Sequence, residues 1–376
     1  MASKLDFLKS RLDVIKDDDL YRKMPVGAVK GAHITINGKK LLNLCSNDYL
    51  GIRTSGITLN QMQSSSRLVS GNDPLYSILE KKLSRHKSQN NALVFPTGYM
   101  ANMGAISGII QKNDLILSDS LNHASIIEAC RLSDGKISIY GHNDVDDLNA
   151  KLKTRKKRIF IITEGIFSMD GDYAKLQEIT EIAQKNNAIL ILDDAHGDFA
   201  VGADGKGTAA HFGVAKKTDI YISSLSKGLG SFGGYVASEK HTIDFLINRS
   251  KEFIYTSALP SILIKDAIQR FDHNREKQRK KLKTNTKQFS KGLQNLNYQI
   301  NSKTHIIPII IGKEKTAVEF GKNLAKHGIF AQPIRYPTVQ KNTARIRLSV
   351  TAWMSKGQID QALDAFEYVG RKFKII

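Results

Sequence analysis

Two short stretches, DDAHG (193–197) and SLSKGLG (224–230), place a carboxylate, an imidazole and an amine just after apolar runs. Asp193 and His196 follow ILIL (189–192), and Lys227 follows DIYIS (219–223). Ligands of an open α/β sheet bind beyond the carboxyl ends of its strands, so both loops face one edge if the two runs are strands of one sheet. Taken singly, Asp193 reads as a turn or N-cap residue. Lys227 alone reads as a surface or phosphate-binding lysine, in surroundings that lack the G-x-x-x-x-G-K-[ST] order of a P-loop. Taken as a pair they suit pyridoxal phosphate chemistry, which needs a lysine to form a Schiff base and a carboxylate to face a pyridinium nitrogen.

The runs IFIIT (159–163), ILIL and DIYIS are short, β-rich and bounded by polar residues, the pattern of strands buried on both faces. Between the first two, KLQEITEIAQKN (175–186) repeats Leu176, Ile179, Ile182 and Ala183 at helical spacing. Strand, helix and strand in this order imply a right-handed crossover into a parallel sheet. Runs at 92–95, 115–117 and 137–140, with helical patterns at 102–110 and 125–132, continue the alternation. The expected fold class is therefore α/β, with a large, mostly parallel α/β/α sheet domain over 46–260 behind an N-terminal segment, 1–45. Past Pro260 one long helical stretch runs to about Leu293. The rest of 261–376 mixes strand-like runs (305–311, 345–350) with helix-like ones (317–327, 357–373), a small C-terminal α+β domain.

The chain has 376 residues, 41% apolar and 24% charged, enough for a sizeable core, which excludes disordered, collagen-like and mini-protein classes. No stretch approaches a membrane span, and the charged N-terminus lacks the apolar core of a secretion signal. Cys45 and Cys130 are too few for a disulfide framework and have no zinc spacing, so no metal is expected and a reducing cytoplasm is the simplest location. Lysine and arginine total 56 against 36 acidic residues, a net charge of +20. Two clusters stand out, KLKTRKKR (151–158) and REKQRKKLKTNTK (275–287), and neither interleaves aromatics that would stack on bases. They read as solvated helix faces, and no nucleic-acid partner is expected.

Eight stretches in one order resemble the α-oxoamine synthase family of fold-type I pyridoxal-phosphate enzymes. They are SNDYLG (46–51), SSSRLVSGN (64–72), FPTGYMANMGAI (95–106), LNHASIIEACRLS (121–133), TEGIFSMDGD (163–172), DDAHG, SLSKGLGSFGGYV (224–236) and FIYTSALP (253–260). The resemblance implies that Lys227 carries the cofactor and later serves as the base that removes an amino-acid α-proton. Both jobs need an amine that can be neutral, which burial and nearby cationic charge favour. It further implies Asp193 at the pyridine nitrogen, His196 at the phenolic oxygen and His123 stacked on the ring. Gly98 and Tyr99 would meet the phosphate with their amides at a helix N-terminus, Ser168 and Ser224 would supply hydroxyls, and Thr256 would reach the phosphate across a dimer interface.

On the substrate side, Arg347 in RIRLSVTA (345–352) matches the family arginine that receives an amino-acid carboxylate, and Arg345, on the same strand face, competes with it. Thr338 and Asn47 match positions near the acyl substrate. In LYRKMPV (20–26) the family's acyl-substrate arginine falls on Tyr21, so Arg22 is the candidate. The implied reaction is a decarboxylative Claisen condensation of L-alanine with a pimeloyl thioester, carried by CoA or acyl carrier protein, in biotin biosynthesis, by a homodimer with its site at the subunit interface. RLVSG (67–71) and DDAHG resemble that branch, whereas glycine acetyltransferases tend to read RFICG and DDSHA. Sister activities remain the alternative, among them glycine with acetyl-CoA, 5-aminolevulinate synthesis and sphingoid-base synthesis. A basic nucleic-acid-binding protein and a non-catalytic scaffold on this fold are the readings from other classes.

Overall fold

The computed structural model describes residues 7–22, 24–54, 65–152 and 158–376. Lys23 of LYRKMPV, Ser64 of SSSRLVSGN and residues 153–157 of the first basic cluster lie outside the described residues. The chain divides into two compact units: Asn47–Ser168 with Asp172–Lys280, and the residues up to Ser46 with Met169–Gly171 and Lys281–Ile376.

The larger unit is built on a seven-stranded sheet. Its strands run in the order Asn91–Phe95, Gly234–Ser238, Ile220–Ser224, Ile189–Asp193, Ile159–Glu164, Leu115–Asp119 and Lys136–Tyr140. The last five of these pair in parallel, and Gly234–Ser238 is antiparallel to both its neighbours. This is the mostly parallel sheet that the alternation predicts. Phe160, Ile162, Ile191 and Ile222 of the strands pack with Ala101, Ile106, Ile126 and Leu246 of the covering helices in one buried cluster. Burial on both faces explains why these strands read as continuous apolar runs. Strand pairing extends into the polar residues that end the runs, with Glu164 opposite Asp193 and Asp193 opposite Ile222, so the reactive side chains sit on hydrogen-bonded backbone.

The region past Pro260 differs from the single helix expected there: it forms two helices, Ser261–Asp272 and Glu276–Asn295. The interruption is capped from both sides. Asn274 Oδ1 accepts the Glu276 N–H at 3.0 Å, and the Arg275 guanidinium donates to the Arg270 carbonyl at 2.9 Å and to the Phe271 carbonyl. Those bonds satisfy groups that helix ends leave without partners.

In the smaller unit, Ala344–Ser349 is the middle strand between Ile306–Gly312 and Pro333–Ile334. The helices Glu314–Lys326 and Lys356–Lys372 bring Phe320 and Phe366 together at 6.2 Å, and Ser355 with Gln358 forms a capping box on the second. The N-terminal residues that the sequence sets apart as 1–45 supply this unit with strands. Gly27–Lys30, His33–Ile36 and Lys39–Asn43 form an antiparallel meander, and Ile329–Phe330 adds to it in parallel with Leu42 and Asn43.

Candidate active site

The loops after Ile189–Asp193 and Ile220–Ser224 leave adjacent parallel strands at the same edge and meet again beyond it. Their approach depends on Gly228, where a Cβ would lie 2.2 Å from the Asp198 carbonyl oxygen. Lys227 Nζ stands 2.9 Å from His196 Nε2, and His196 Nδ1 stands 2.7 Å from the hydroxyl of Tyr49, a fully buried residue. Because Tyr49 donates its hydroxyl proton to Asn47 Oδ1 at 3.2 Å, its oxygen accepts from His196 Nδ1–H, and Nε2 is left to accept from the lysine. One directed chain thus joins Lys227, His196, Tyr49 and Asn47.

Asp193 is buried with both carboxylate oxygens occupied: Oδ1 accepts the Ala195 N–H at 2.9 Å and Oδ2 accepts from Asn102 Nδ2 at 2.7 Å. Asn102 lies in the helix Gly98–Ile109, whose N-cap Thr97 takes the Met100 N–H. Helix geometry leaves the amides of Gly98 and Tyr99 with no carbonyl partner inside the helix, which suits an anion. Ser224, the last residue of its strand, lies against this terminus, with its Cβ 3.1 Å from where a Gly98 Cβ would stand and its hydroxyl 2.8 Å from that of Ser226. His123 caps the helix Ala124–Leu132 through Nδ1, and Tyr99 meets its ring edge-on at 6.5 Å. Burial lowers the His123 pKa and Lys227 adds to this, while Asp193 opposes it.

Ser168 is buried four residues beyond Glu164. Thr256 lines a surface pocket with Arg67, Tyr76 and Phe253, and no hydrogen bond among the described residues links it to the lysine. Arg347, Thr338 and Arg22 belong to the smaller unit. The two competing arginines differ in their partners: Arg345 pairs with Asp170 at 2.6 Å, whereas Arg347 donates to Ser349 Oγ at 2.8 Å. Arg345 is therefore already neutralised. Near Arg347, burial and then that arginine push His305 down to about 3, and burial pushes the Cys45 thiol up to about 11 despite the Gln332 amide and Arg347. Arg22 donates to the Tyr336 carbonyl at 3.2 Å, and Thr338 is exposed in the turn closed by its N–H on the Arg335 carbonyl.

Residues 39–366 match the family described as aminotransferase class I and II. The chain belongs to this family. The 8-amino-7-oxononanoate synthase of Thermoanaerobacter pseudethanolicus is 41% identical over 99% of this chain and 98% of its own. Among solved structures, Sphingomonas wittichii serine palmitoyltransferase has a TM-score of 0.92 at 26% identity, with full coverage of both chains. A high-resolution structure of SPT with its PLP internal aldimine has a TM-score of 0.91 at 25% identity and covers 99% of each chain.

Tyr49, Asn102 and Glu164 also stand among the side chains of this site, and no motif role in the sequence singles them out. Glu164 ends the strand beside Asp193, is 3% exposed, and has an Oε1 with no hydrogen-bond partner among the described residues. Burial, followed by the Asp193 charge, raises its pKa well above the ordinary carboxyl range, so it holds a proton where a second anion would be costly. Its position after IFIIT was the available signal, the same one that singled out Asp193.

Proposed function

We propose that the protein is a pyridoxal-phosphate-dependent 8-amino-7-oxononanoate synthase that joins L-alanine to a pimeloyl thioester, releasing CO2 and the thiol carrier. The observation that carries this reading is the 41% identity to such a synthase along 99% of the chain. The site fits the cofactor. It offers an amine for an aldehyde, a buried carboxylate for a protonated ring nitrogen, and a helix N-terminus with a hydroxyl beside it for a phosphate.

When bound, pyridoxal phosphate supplies the electron sink for the charge left at the amino-acid Cα by loss of its proton and, later, of a carboxylate. Lys227 Nζ would hold the cofactor and is the base placed to take the Cα proton, with His196 Nε2 keeping that nitrogen in place. Asp193, held through both oxygens, retains a proton on the ring nitrogen. The amides of Gly98 and Tyr99, with Ser224 Oγ and the Ser168 hydroxyl, would hold the phosphate and ring substituents, and His123 would support the ring. Arg347 receives the alanine carboxylate through its planar fork, a task closed to Arg345 by Asp170. Asn47, Thr338 and Arg22 bind the acyl thioester, whether carried by CoA or acyl carrier protein. The working form is a cytoplasmic homodimer in which Thr256 reaches the partner's phosphate.

The test is a matrix of amino acids and acyl thioesters read by free-thiol release. Alanine with pimeloyl-CoA is expected to give the highest kcat/KM, and Lys227→Ala to lower kcat by at least about 10²-fold with loss of the cofactor's visible absorbance. Faster release with glycine and acetyl-CoA, or with serine and palmitoyl-CoA, would overturn the assignment in favour of a sister activity.

A further inference from the structure

His123 and Asp193 are joined by two side chains, one two residues beyond His123 and the other on the helix Gly98–Ile109. Asn102 Nδ2 lies 2.7 Å from Asp193 Oδ2 and 3.0 Å from Ser125 Oγ, and Ser125 Oγ lies 2.7 Å from His123 Nδ1. Asn102 and Ser125 are buried, at 3% and 0% exposure. The proton positions in this chain follow from chemistry. A carboxylate only accepts, so the Asn102 atom facing Asp193 is its NH2 group, and the second N–H of that group is left for Ser125 Oγ. The backbone N–H of Ser125 points at His123 Nδ1 at 3.2 Å, so Nδ1 presents a lone pair there. Ser125 Oγ, which already receives a proton from Asn102, therefore gives its own to Nδ1. Asn102 Oδ1 is buried with no partner among the described residues, so the amide is kept for its two donors at the cost of its acceptor.

We propose that Asn102 and Ser125 are positioning residues that fix the Asp193 carboxylate and hold His123 as the neutral tautomer with its single proton on Nε2. The purpose of the device rests on the pyridoxal-phosphate reading. A neutral imidazole can lie against a ring that Asp193 keeps cationic without adding a second positive charge. His123 also stands at the N-terminus of Ala124–Leu132, where the helix dipole disfavours an imidazolium. One amide thereby coordinates the two groups that act on opposite aspects of the ring, its nitrogen and its face.

The test uses the full-length, cofactor-loaded protein with ring-15N histidine, with the His123 signals assigned by their loss in His123→Gln. At neutral pH the wild type is expected to show a one-bond N–H coupling at Nε2 and none at Nδ1. Ser125→Ala keeps the backbone N–H but removes the second donor to Nδ1, so it is expected to shift the unprotonated Nδ1 signal downfield, and Ser125→Thr, which keeps the hydroxyl, to restore the wild-type position. Asn102→Leu is expected to weaken cofactor binding roughly tenfold to a hundredfold through the lost charge-assisted bond. A protonated Nδ1 in the wild type, or His123 signals unchanged in Ser125→Ala, would overturn the proposal. The signals are read without turnover, so they do not depend on which amino acid or thioester the enzyme uses.

Discussion

The orientation of His196 is set by the hydroxyl of the buried Tyr49. Tyr49→Phe removes the oxygen that accepts from His196 Nδ1–H, and leaving such a donor without its partner costs about 1–3 kcal/mol. Urea unfolding should show that loss, and kcat should fall with little change in KM for alanine, because Lys227 Nζ loses a fixed neighbour rather than a substrate contact. Unchanged stability together with unchanged kcat would refute this account of Tyr49. That the loops of Asp193, His196 and Lys227 share one sheet edge was legible in the sequence, because reactive residue types stood just after apolar runs. Tyr49 was not, since it meets His196 across a separation of 147 residues and no local spacing encodes that contact. Asn102 was hidden for a related reason: in a helix it looked like one more polar residue, and only the turn of Gly98–Ile109 toward Asp193 gives its amide a task.

The loop bearing His196 is tied to a helix by buried charge. Lys87, at the end of Pro74–Lys87, reaches Asp194 at 3.0 Å and Asp198 at 2.8 Å, on either side of His196, and Asp198 also meets His86 at 2.9 Å and the Tyr235 hydroxyl at 2.5 Å. Burial opposes the lysine's charge, but the two carboxylates outweigh it and raise its pKa, so it stays cationic. Lys87→Met leaves two buried carboxylates without their counter-charge and should cost about 3–5 kcal/mol, visible as a lower denaturation midpoint at unchanged m-value. A stability equal to wild type would show that the cluster is replaceable by apolar packing. At this scale the sequence was informative wherever an apolar run marked a doubly buried strand. It was silent on the helix interruption at 273–275, because Asn274 and Arg275 are ordinary helix residues until their side chains turn back to cap the two ends. It was silent too on Gly234–Ser238, whose strand begins inside a glycine-rich loop.

Across the whole molecule, part of the basic excess behind the net charge of +20 lies beside acidic partners. Lys151 pairs with Asp147, Arg158 with Asp114 at 2.8 Å, and Lys280 with Glu276 at 2.6 Å. Arg275, expected on a solvated face, is instead buried over the rings of Phe271 and Phe199, at 5.1 and 5.5 Å. Among the described residues no helix is long and apolar enough to cross a membrane. His142 is expected to give global stability a dependence on pH. Burial opposes its protonation, yet hydrogen bonds to Asp119 at 3.0 Å and Asp172 at 2.9 Å prevail and push it up to about 10. A raised folded-state pKa gives stability that is complete below the unfolded value near 6.5 and is lost as pH climbs toward 10. Thermal unfolding across that window should show a decline in the wild type that His142→Gln flattens, and an equal decline in both would remove His142 as its source. The pairing of Asn91–Phe95 with Gly234–Ser238 has a consequence for the order of assembly. The helix Gly98–Ile109 grows from a strand that, among the described residues, joins the sheet through a single partner made much later, beyond the lysine loop. A chain emerging from the ribosome therefore cannot complete the sheet beside this helix until Ser238 has been added, and such long-range closure is slow. The first strand of this sheet in the chain thus waits for the last one before it has a partner.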